Sequence, residues 1–364
     1  MRRLLVAISL LSVFGLLVAT FGCSKPAATT STRSTTSVAA PTTATTTATT
    51  RTVTPTSKPV VLKASVAYGA THLRGKIIQA FADEVKQKTE GRVVIEFYFD
   101  SSLLAPTAEF SGLQSGVADM ALLLSPYVES QIRELGVFTM PFLYPVQRGA
   151  EIEKALRNQM DALFAKQGVK YLFSWPVSYR FLLMRDKPIA SVEDLKGVKL
   201  RVSGGGNTRA AQIWGASVVS IAGGGEVYLA LQQGVVNGTI VSGASAMDLR
   251  YYEVARYGTV IDVVGGNIIP AMSNKAWNSL SEKDQRVIME IGTRMASDSL
   301  ATELQDEGRF EQELKAKGVS VITLTEEKRA GFREPVVTPL RAEYAALGPT
   351  AQDILKIVDG VLGK

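Results

Sequence analysis

The residues of this chain best suited to chemistry fall between 179 and 245. Arg201 lies in an apolar run, 198–202, that reads as a strand, and Ser203-Gly204-Gly205-Gly206-Asn207-Thr208 follows at once, ahead of a helix over 209–214. A glycine-rich turn between strand and helix aims backbone N–H groups and a helix N-terminus at one point, which suits an anion. Arg201 also sits near the C-terminal end of its strand, the edge at which open α/β sheets hold ligands. Phosphate-loop and dinucleotide chemistry do not fit, because no Gly-Lys-Ser/Thr is present and the glycines are not spaced for a pyrophosphate. Arg180, inside a strand pattern over 179–184, is a second cation that could serve such a site. Both arginines have plainer readings. Arg201, amid Val198, Leu200 and Val202, could equally face solvent in a surface ion pair, and Arg180 has Arg185 and Lys187 beside it, as on a solvated basic edge.

Other chemistries find few residues. His72 is the only histidine and Cys23 the only cysteine of the 364 residues. Histidine-based catalysis, a metal centre and a thiol nucleophile each need convergent side chains that this composition lacks, so neither a metal nor a cofactor is expected. Glu226 and Asp119 are the carboxylates an exported enzyme could use. More simply, Glu226 is a favourable charge at a helix N-terminus and Asp119 a strand-entry residue. The net charge of +6 is spread along the chain with no basic run interleaved with aromatics, so no nucleic acid partner is expected.

The elements that must position these residues begin after two non-globular stretches. Arg2, Arg3 and the apolar run 4–18 read as an export signal, 1–22, and Cys23 behind it is placed as a lipid acceptor, although Thr20-Phe21-Gly22 is not the usual approach to one. A cleaved signal without lipid, or an uncleaved membrane anchor, is the alternative. Residues 24–58 are nearly all Thr, Ala, Ser and Pro and cannot bury enough apolar surface to fold, so 23–58 is expected to be a lipid-anchored, disordered tether. From Val60 onward strand and helix patterns alternate. A strand over 60–68 precedes a helix carrying Leu73, Ile77, Phe81 and Val85 on one face, then Val93, Ile95, Phe97 and Phe99 recur with a strand's period. This is the grammar of an open sheet covered by helices.

A short repeat suggests that the unit occurs twice. Leu113-Gln114-Ser115-Gly116-Val117-Ala118-Asp119 and Leu231-Gln232-Gln233-Gly234-Val235-Val236-Asn237 share one frame, each with a glutamate upstream and an apolar run downstream. A helix stopped by glycine and fed into a buried strand gives this pattern, so two related α/β lobes are expected. Towards the C-terminus, Ser281 with Asp284 opens a long helix with Ile288, Ile291 and Met295 inward, and helices over 325–345 and 349–362 follow as braces.

With those motifs in order, the chain resembles the solute receptors of tripartite ATP-independent (TRAP) transporters. The resemblance rests on Asp-Leu-Lys-Gly-Val-Lys-Leu-Arg-Val (194–202), Gly-Ala-Ser (215–217), Glu-Val-Tyr-Leu-Ala-Leu-Gln-Gln-Gly-Val-Val-Asn-Gly (226–238) and Tyr-Tyr-Glu-Val (251–254). Phe138-Thr139-Met140-Pro141-Phe142 upstream and Trp277 downstream extend it over about 60–360. It implies a two-lobed, periplasmic-binding-protein-like α/β fold with open mixed sheets, lobe I from 59–177 plus 267–306 and lobe II from 178–266 plus 307–364. It further implies a small organic anion, a carboxylate, bound between the lobes and delivered to the small and large membrane subunits of a permease outside the cytoplasm, without turnover. The family's ligand-gripping arginine falls on Arg201 and a second one on Arg180. Tyr68, Ser125, Tyr127, Asn207 and Ser242 are candidate lining residues, with plain packing an equal alternative for each. Thr239-Ile240-Val241-Ser242 replaces the Gln-Glu-Asn-Pro of many members, Ser125-Pro126-Tyr127 stands where sialic-acid-binding members have charged contacts, and Gly223-Gly224-Gly225 stands where an aromatic is usual. Together these point away from sialic acid and towards a less polar or bulkier carboxylate. A tethered sensor that passes its ligand to a signalling partner is the other binding function compatible with these residues.

Overall fold

The computed structural model describes residues 58–364; the leader, Cys23 and the tract up to 57 lie outside the described residues. The first half runs β1 (Val60–Ser65), α1 (Leu73–Lys88), β2 (Val93–Tyr98), α2 (Glu109–Ser115), β3 (Met120–Leu124), α3 (Ser125–Val128), α4 (Gly149–Lys166) and β4 (Val169–Tyr171). Next come β5 (Trp175–Met184), β6 (Lys199–Val202), α5 (Gly205–Ile213), β7 (Ser217–Ser220), α6 (Gly225–Gln232), β8 (Gly238–Val241), α7 (Gly243–Asp248) and β9 (Tyr257–Ser273). The chain ends with α8 (Asn274–Ser279), α9 (Glu282–Ala316), β10 (Ser320–Thr323), α10 (Glu326–Ala345) and α11 (Pro349–Leu362).

Local chemistry explains most of these boundaries. His72, Ser242, Ser273, Ser281 and Thr325 each cap a helix by accepting a backbone N–H with the side chain. Gly116 and Gly234, with φ of 75° and 74°, turn the chain out of α2 and α6 in the left-handed conformation that glycine adopts without strain. β3 is buried along its whole length, and β9 is buried at all but two of its 17 positions, as strands covered on both faces must be.

The strand order is β2-β1-β3-β9-β5-β8-β6-β7, with β10 and β4 also paired to β9. Two half-sheets therefore share a centre. In each, a parallel trio (β2-β1-β3 or β7-β6-β8) is followed by an antiparallel partner. The expected pair of separate sheets is thus one hydrogen-bonded sheet, because β5 and β9 are long enough to serve both lobes. Their pairing shifts register between Val177 and Ser178 and between Tyr179 and Phe181. A second apolar cluster, with Phe181, Val227, Leu231, Tyr251, Val260 and Leu314, gives the second lobe its own core.

The two halves repeat each other down to individual atoms. Asp119 N donates to Lys63 O at 2.9 Å while Asp119 Oδ2 accepts from Lys63 N at 2.9 Å. Asn237 N donates to Lys199 O at 2.7 Å while Asn237 Oδ1 accepts from Lys199 N at 3.0 Å. The seven-residue echo is therefore one structural device used twice.

The C-terminal segment departs from the expected boundaries. Residues 307–364 do not belong wholly to the second lobe: α10 packs on α5, but α11 packs on α4, and Arg148 Nη2 donates to Val361 O at 2.6 Å. α9 likewise touches α1 and α4 as well as α7 and β10, so it spans both lobes.

Candidate functional site

The C-terminal ends of β1 and β6 face a cavity of about 600 Å³, the size of a small-molecule site. The first lobe supplies Tyr68, His72, Arg74, Glu109 and Tyr127, and the second supplies Tyr179, Arg201, Tyr251 and the glycines 223–225; Leu122, Leu124 and Val241 are apolar lining.

Arg201 is 4% exposed, on a strand whose last three residues are all buried, and its Nε donates to Ile221 O at 2.9 Å. No carboxylate lies within 4.0 Å of it among the described residues, whereas most arginines of this chain have one. A buried guanidinium without a carboxylate is costly unless something else satisfies it, and its planar fork matches a ligand carboxylate. Beside it, the Tyr127 hydroxyl crosses from the other lobe to accept from Gly223 N at 2.9 Å, and Tyr251 Oη donates to Gly224 O at 2.8 Å. Burial pushes the Tyr127 phenol up, against the opposing pull of Arg201, so it stays neutral and able to donate.

At the first-lobe wall, Arg74 Nε and Nη2 donate to Glu303 at 2.8 and 3.1 Å, and Nη2 also reaches Ser242 Oγ at 3.3 Å. Burial opposes its charge, but Glu303, helped by Tyr68 and Tyr179, outweighs burial and raises its pKa. Tyr68 packs against His72 with ring centroids 4.6 Å apart and planes tilted by 33°, and the Arg74 guanidinium lies over the Tyr68 ring at 5.1 Å. His72 Nδ1 accepts from Arg74 N at 3.1 Å, while burial, then Arg74 and Lys76, lower its pKa well below the usual value. The imidazole is therefore neutral with its proton on Nε2, 3.7 Å from Asp248 Oδ2. Among the described residues no three His, Cys, Asp or Glu side chains are grouped to hold a metal ion.

The expected site residues divide. Arg201, Tyr68 and Tyr127 line the cavity. Ser125, Asn207, Ser242 and Arg180 do not. Ser125 Oγ accepts from Asn267 N at 2.9 Å, Asn207 Nδ2 donates to Val264 O at 3.4 Å, and Ser242 caps α7. All three are fully buried polar residues that hold backbone in place behind the cavity wall. Arg180 is bound to Asp262 Oδ1 at 2.7 Å and Glu311 Oε2 at 2.5 Å. Asp262 has a φ of +49°, rare for a residue with a side chain, and is also gripped by Arg329, so this cluster fixes the strand irregularity between the lobes.

The glycine-rich turn at 203–208 is corrected as well. Gly206 N donates to Thr139 Oγ1 at 2.8 Å, and the Glu129 carboxyl lies against Gly205. The start of α5 thus faces one of the protein's own carboxyl groups, in a separate depression of about 260 Å³. The glycine run that faces the main cavity is 223–225, where a Cβ on Gly224 or Gly225 would meet nothing within 4 Å. Sequence reasoning passed over Arg74, Glu109, Tyr179 and Tyr251. Only Glu109 carried a signal, as the glutamate upstream of the first copy of the echo.

Similarity to other proteins agrees with this geometry. A solute-binding protein of Albidiferax ferrireducens is 29% identical over 261 residues, covering 70% of this chain and 76% of its own. The C4-dicarboxylate-binding periplasmic protein of Rhodobacter capsulatus is 26% identical over 301 residues, covering 79% of this chain and 87% of its own. A TRAP periplasmic solute-binding protein of Ralstonia eutropha, solved with bound (S)-2-acetolactate, is 25% identical with a TM-score of 0.76, covering 83% of this chain and 98% of its own. One from Chromohalobacter salexigens, solved with D-glucuronate, has the same fold at 21% identity and a TM-score of 0.76, covering 82% and 99%. Residues 64–346 match the bacterial extracellular solute-binding proteins of family 7, and the chain belongs to that family.

Proposed function

We propose that this protein is the extracytoplasmic receptor of a TRAP transporter and holds a small organic acid between its lobes, with the acid's carboxylate on Arg201. The observation that carries the assignment is a buried guanidinium, without a carboxylate partner among the described residues, that opens onto a cavity of about 600 Å³ between two lobes. Neutral phenols from both lobes flank it, and the apolar lining lowers the dielectric around the pair. The acids bound by relatives, acetolactate and glucuronate among them, are of the class this cavity suits. The loaded receptor delivers its ligand to the small and large membrane subunits of a permease and performs no chemistry on it. The N-terminal sequence supports export and lipidation at Cys23, with the Thr/Ala/Pro tract as tether.

The deciding experiment is ligand-dependent thermal stabilisation of the full chain and its Arg201→Ala variant by glucuronate, galacturonate and acetolactate. Loss of two charge-assisted hydrogen bonds, about 1.5–3 kcal/mol each, weakens binding roughly 100-fold or more. Equal stabilisation of both proteins would remove Arg201 from the site. For the anchor, mass analysis of the mature N-terminus is expected to find a diacylglyceryl group on Cys23; an unmodified cysteine or a retained leader refutes it.

A further inference from the structure

The strands behind the two walls of the cavity, β1 and β6, are equivalent members of a repeated half-sheet. Ala64 and Ser65 of β1 pair with Met120 and Ala121, and Leu200 and Arg201 of β6 pair with Gly238 and Thr239. The echo aligns Asp119 with Asn237, so Ser65 occupies in the first lobe the register position that Arg201 occupies in the second. The second lobe places a cation there. The first places a hydroxyl, which donates to Glu109 Oε1 at 3.0 Å.

Glu109 lines the cavity although it is only 1% exposed. Ser65 is its one hydrogen-bond partner among the described residues, and no Lys, Arg or His lies within 4.0 Å of its carboxyl. Arg74, the other arginine at the cavity, is already committed to Glu303. A carboxylate desolvated to this degree without a cation takes up a proton instead. Burial accordingly raises the Glu109 pKa well above the usual range, with only the Ser65 hydroxyl pulling the other way.

We infer that Glu109, set by Ser65, is a specificity-determining residue that reads an uncharged oxygen of the ligand, a hydroxyl or carbonyl, at the wall opposite the carboxylate. The inference rests on Arg201 holding that carboxylate. A neutral carboxylic acid offers an O–H donor and a C=O acceptor side by side, and one hydroxyl or oxo group uses them well. A second ligand carboxylate would be buried there with no cation to compensate. The preferred class is therefore a monocarboxylate bearing hydroxyl or oxo groups rather than a dicarboxylate.

Two measurements on the full chain test this. In the first, carbon-13 NMR of glutamate carboxyls at neutral pH is expected to show a protonated-acid resonance that disappears in Glu109→Gln. Disappearance of an ionised-carboxylate resonance instead overturns the proposal. In the second, calorimetry compares glucuronate, galacturonate and pyroglutamate with succinate and fumarate. The tightest binder is expected to be an oxygenated monocarboxylate, weakened at least tenfold in Glu109→Ala and largely recovered in Glu109→Gln, which keeps a donor and an acceptor. Thermal unfolding without ligand checks that the variants are folded. A dicarboxylate as the tightest binder, or unchanged affinities in Glu109→Ala, overturns the role of Glu109. If Arg201→Ala abolishes binding while Glu109 variants change nothing, only this inference fails; if Arg201→Ala binds normally, the carboxylate anchor fails, and this inference with it.

Discussion

Arg74 and Glu303 form a two-pronged ion pair in which neither side chain is more than 2% exposed, although 229 residues separate them. The pair ties α1 to α9, while Nη2 also reaches Ser242 Oγ and the remaining nitrogen, Nη1, reaches Ser245 Oγ around the start of α7. One arginine thus connects the first lobe, the long brace and the second lobe beside the cavity. Glu303→Gln leaves a buried cation without its counter-charge and is expected to cost about 3–5 kcal/mol in chemical denaturation. Replacing both partners together, Arg74→Met with Glu303→Leu, is expected to cost clearly less, since no uncompensated charge remains. A double variant as unstable as the single one would mean that packing, not charge, dominates here.

Arg180 and Arg201 predict opposite phenotypes. Arg180→Ala breaks two half-buried ion pairs at the strand irregularity and is expected to lower stability by roughly 1–2 kcal/mol, between the ranges for exposed and buried pairs. Affinity for the tightest acid of the panel should change less than about threefold, because Arg180 does not line the cavity. Arg201→Lys keeps a positive charge but loses the planar fork, so affinity should fall about tenfold with stability little altered. Calorimetry and thermal unfolding on both variants separate the two roles; a large affinity loss in Arg180→Ala would return it to the ligand site.

Two further carboxyls set a pH dependence of stability. Burial pushes Glu129 up to about 7, with the Thr139 hydroxyl opposing, and burial together with Glu303 pushes Glu307 up to about 8 against Arg74 and Arg180. Both values exceed the ordinary 4.5, so the folded state binds protons more tightly than the unfolded one. Their stabilising contribution is complete below the unfolded value of about 4.5 and is lost as pH rises, to about 7 for Glu129 and about 8 for Glu307. Thermal unfolding of Glu129→Gln and Glu307→Gln should decline less steeply across these windows than that of the parent chain. Parallel pH profiles for variants and parent would contradict the assignment.

Sequence carried the local part of this architecture and lost the long-range part. The Ser281 cap, the turns at Gly116 and Gly234, and the inward set Ile288, Ile291 and Met295 depend on neighbours a few residues away, and the periodicity exposed them. Whether an arginine in a strand is free depends on what folds across from it. Asp262 lies 82 residues beyond Arg180 and Glu311 lies 131 beyond, so nothing near Arg180 betrayed its partners. The two glycine runs are locally alike, and only packing against Thr139 and Glu129 decides that 204–206 turns away from the cavity. One clue was available. Ala296, Leu300, Glu303, Glu307, Phe310 and Leu314 form a single inward stripe on α9, and glutamates on such a stripe require buried partners.

The unbroken ladder from β2 to β7 has a mechanical meaning. The lobes are the two ends of one ribbon, so any change in the angle between them must be absorbed as torsion in β5 and β9, where the ladder slips at Tyr179–Phe181 against Val260–Val263. The Arg180–Asp262–Arg329 clamp sits at that slip and braces it, like a screw on a leaf spring. Deuterium uptake at amides around Asp262 should outpace that of the flanking stretches of β5 and β9 and slow when ligand binds. Uniform protection along both strands would place the flexure elsewhere.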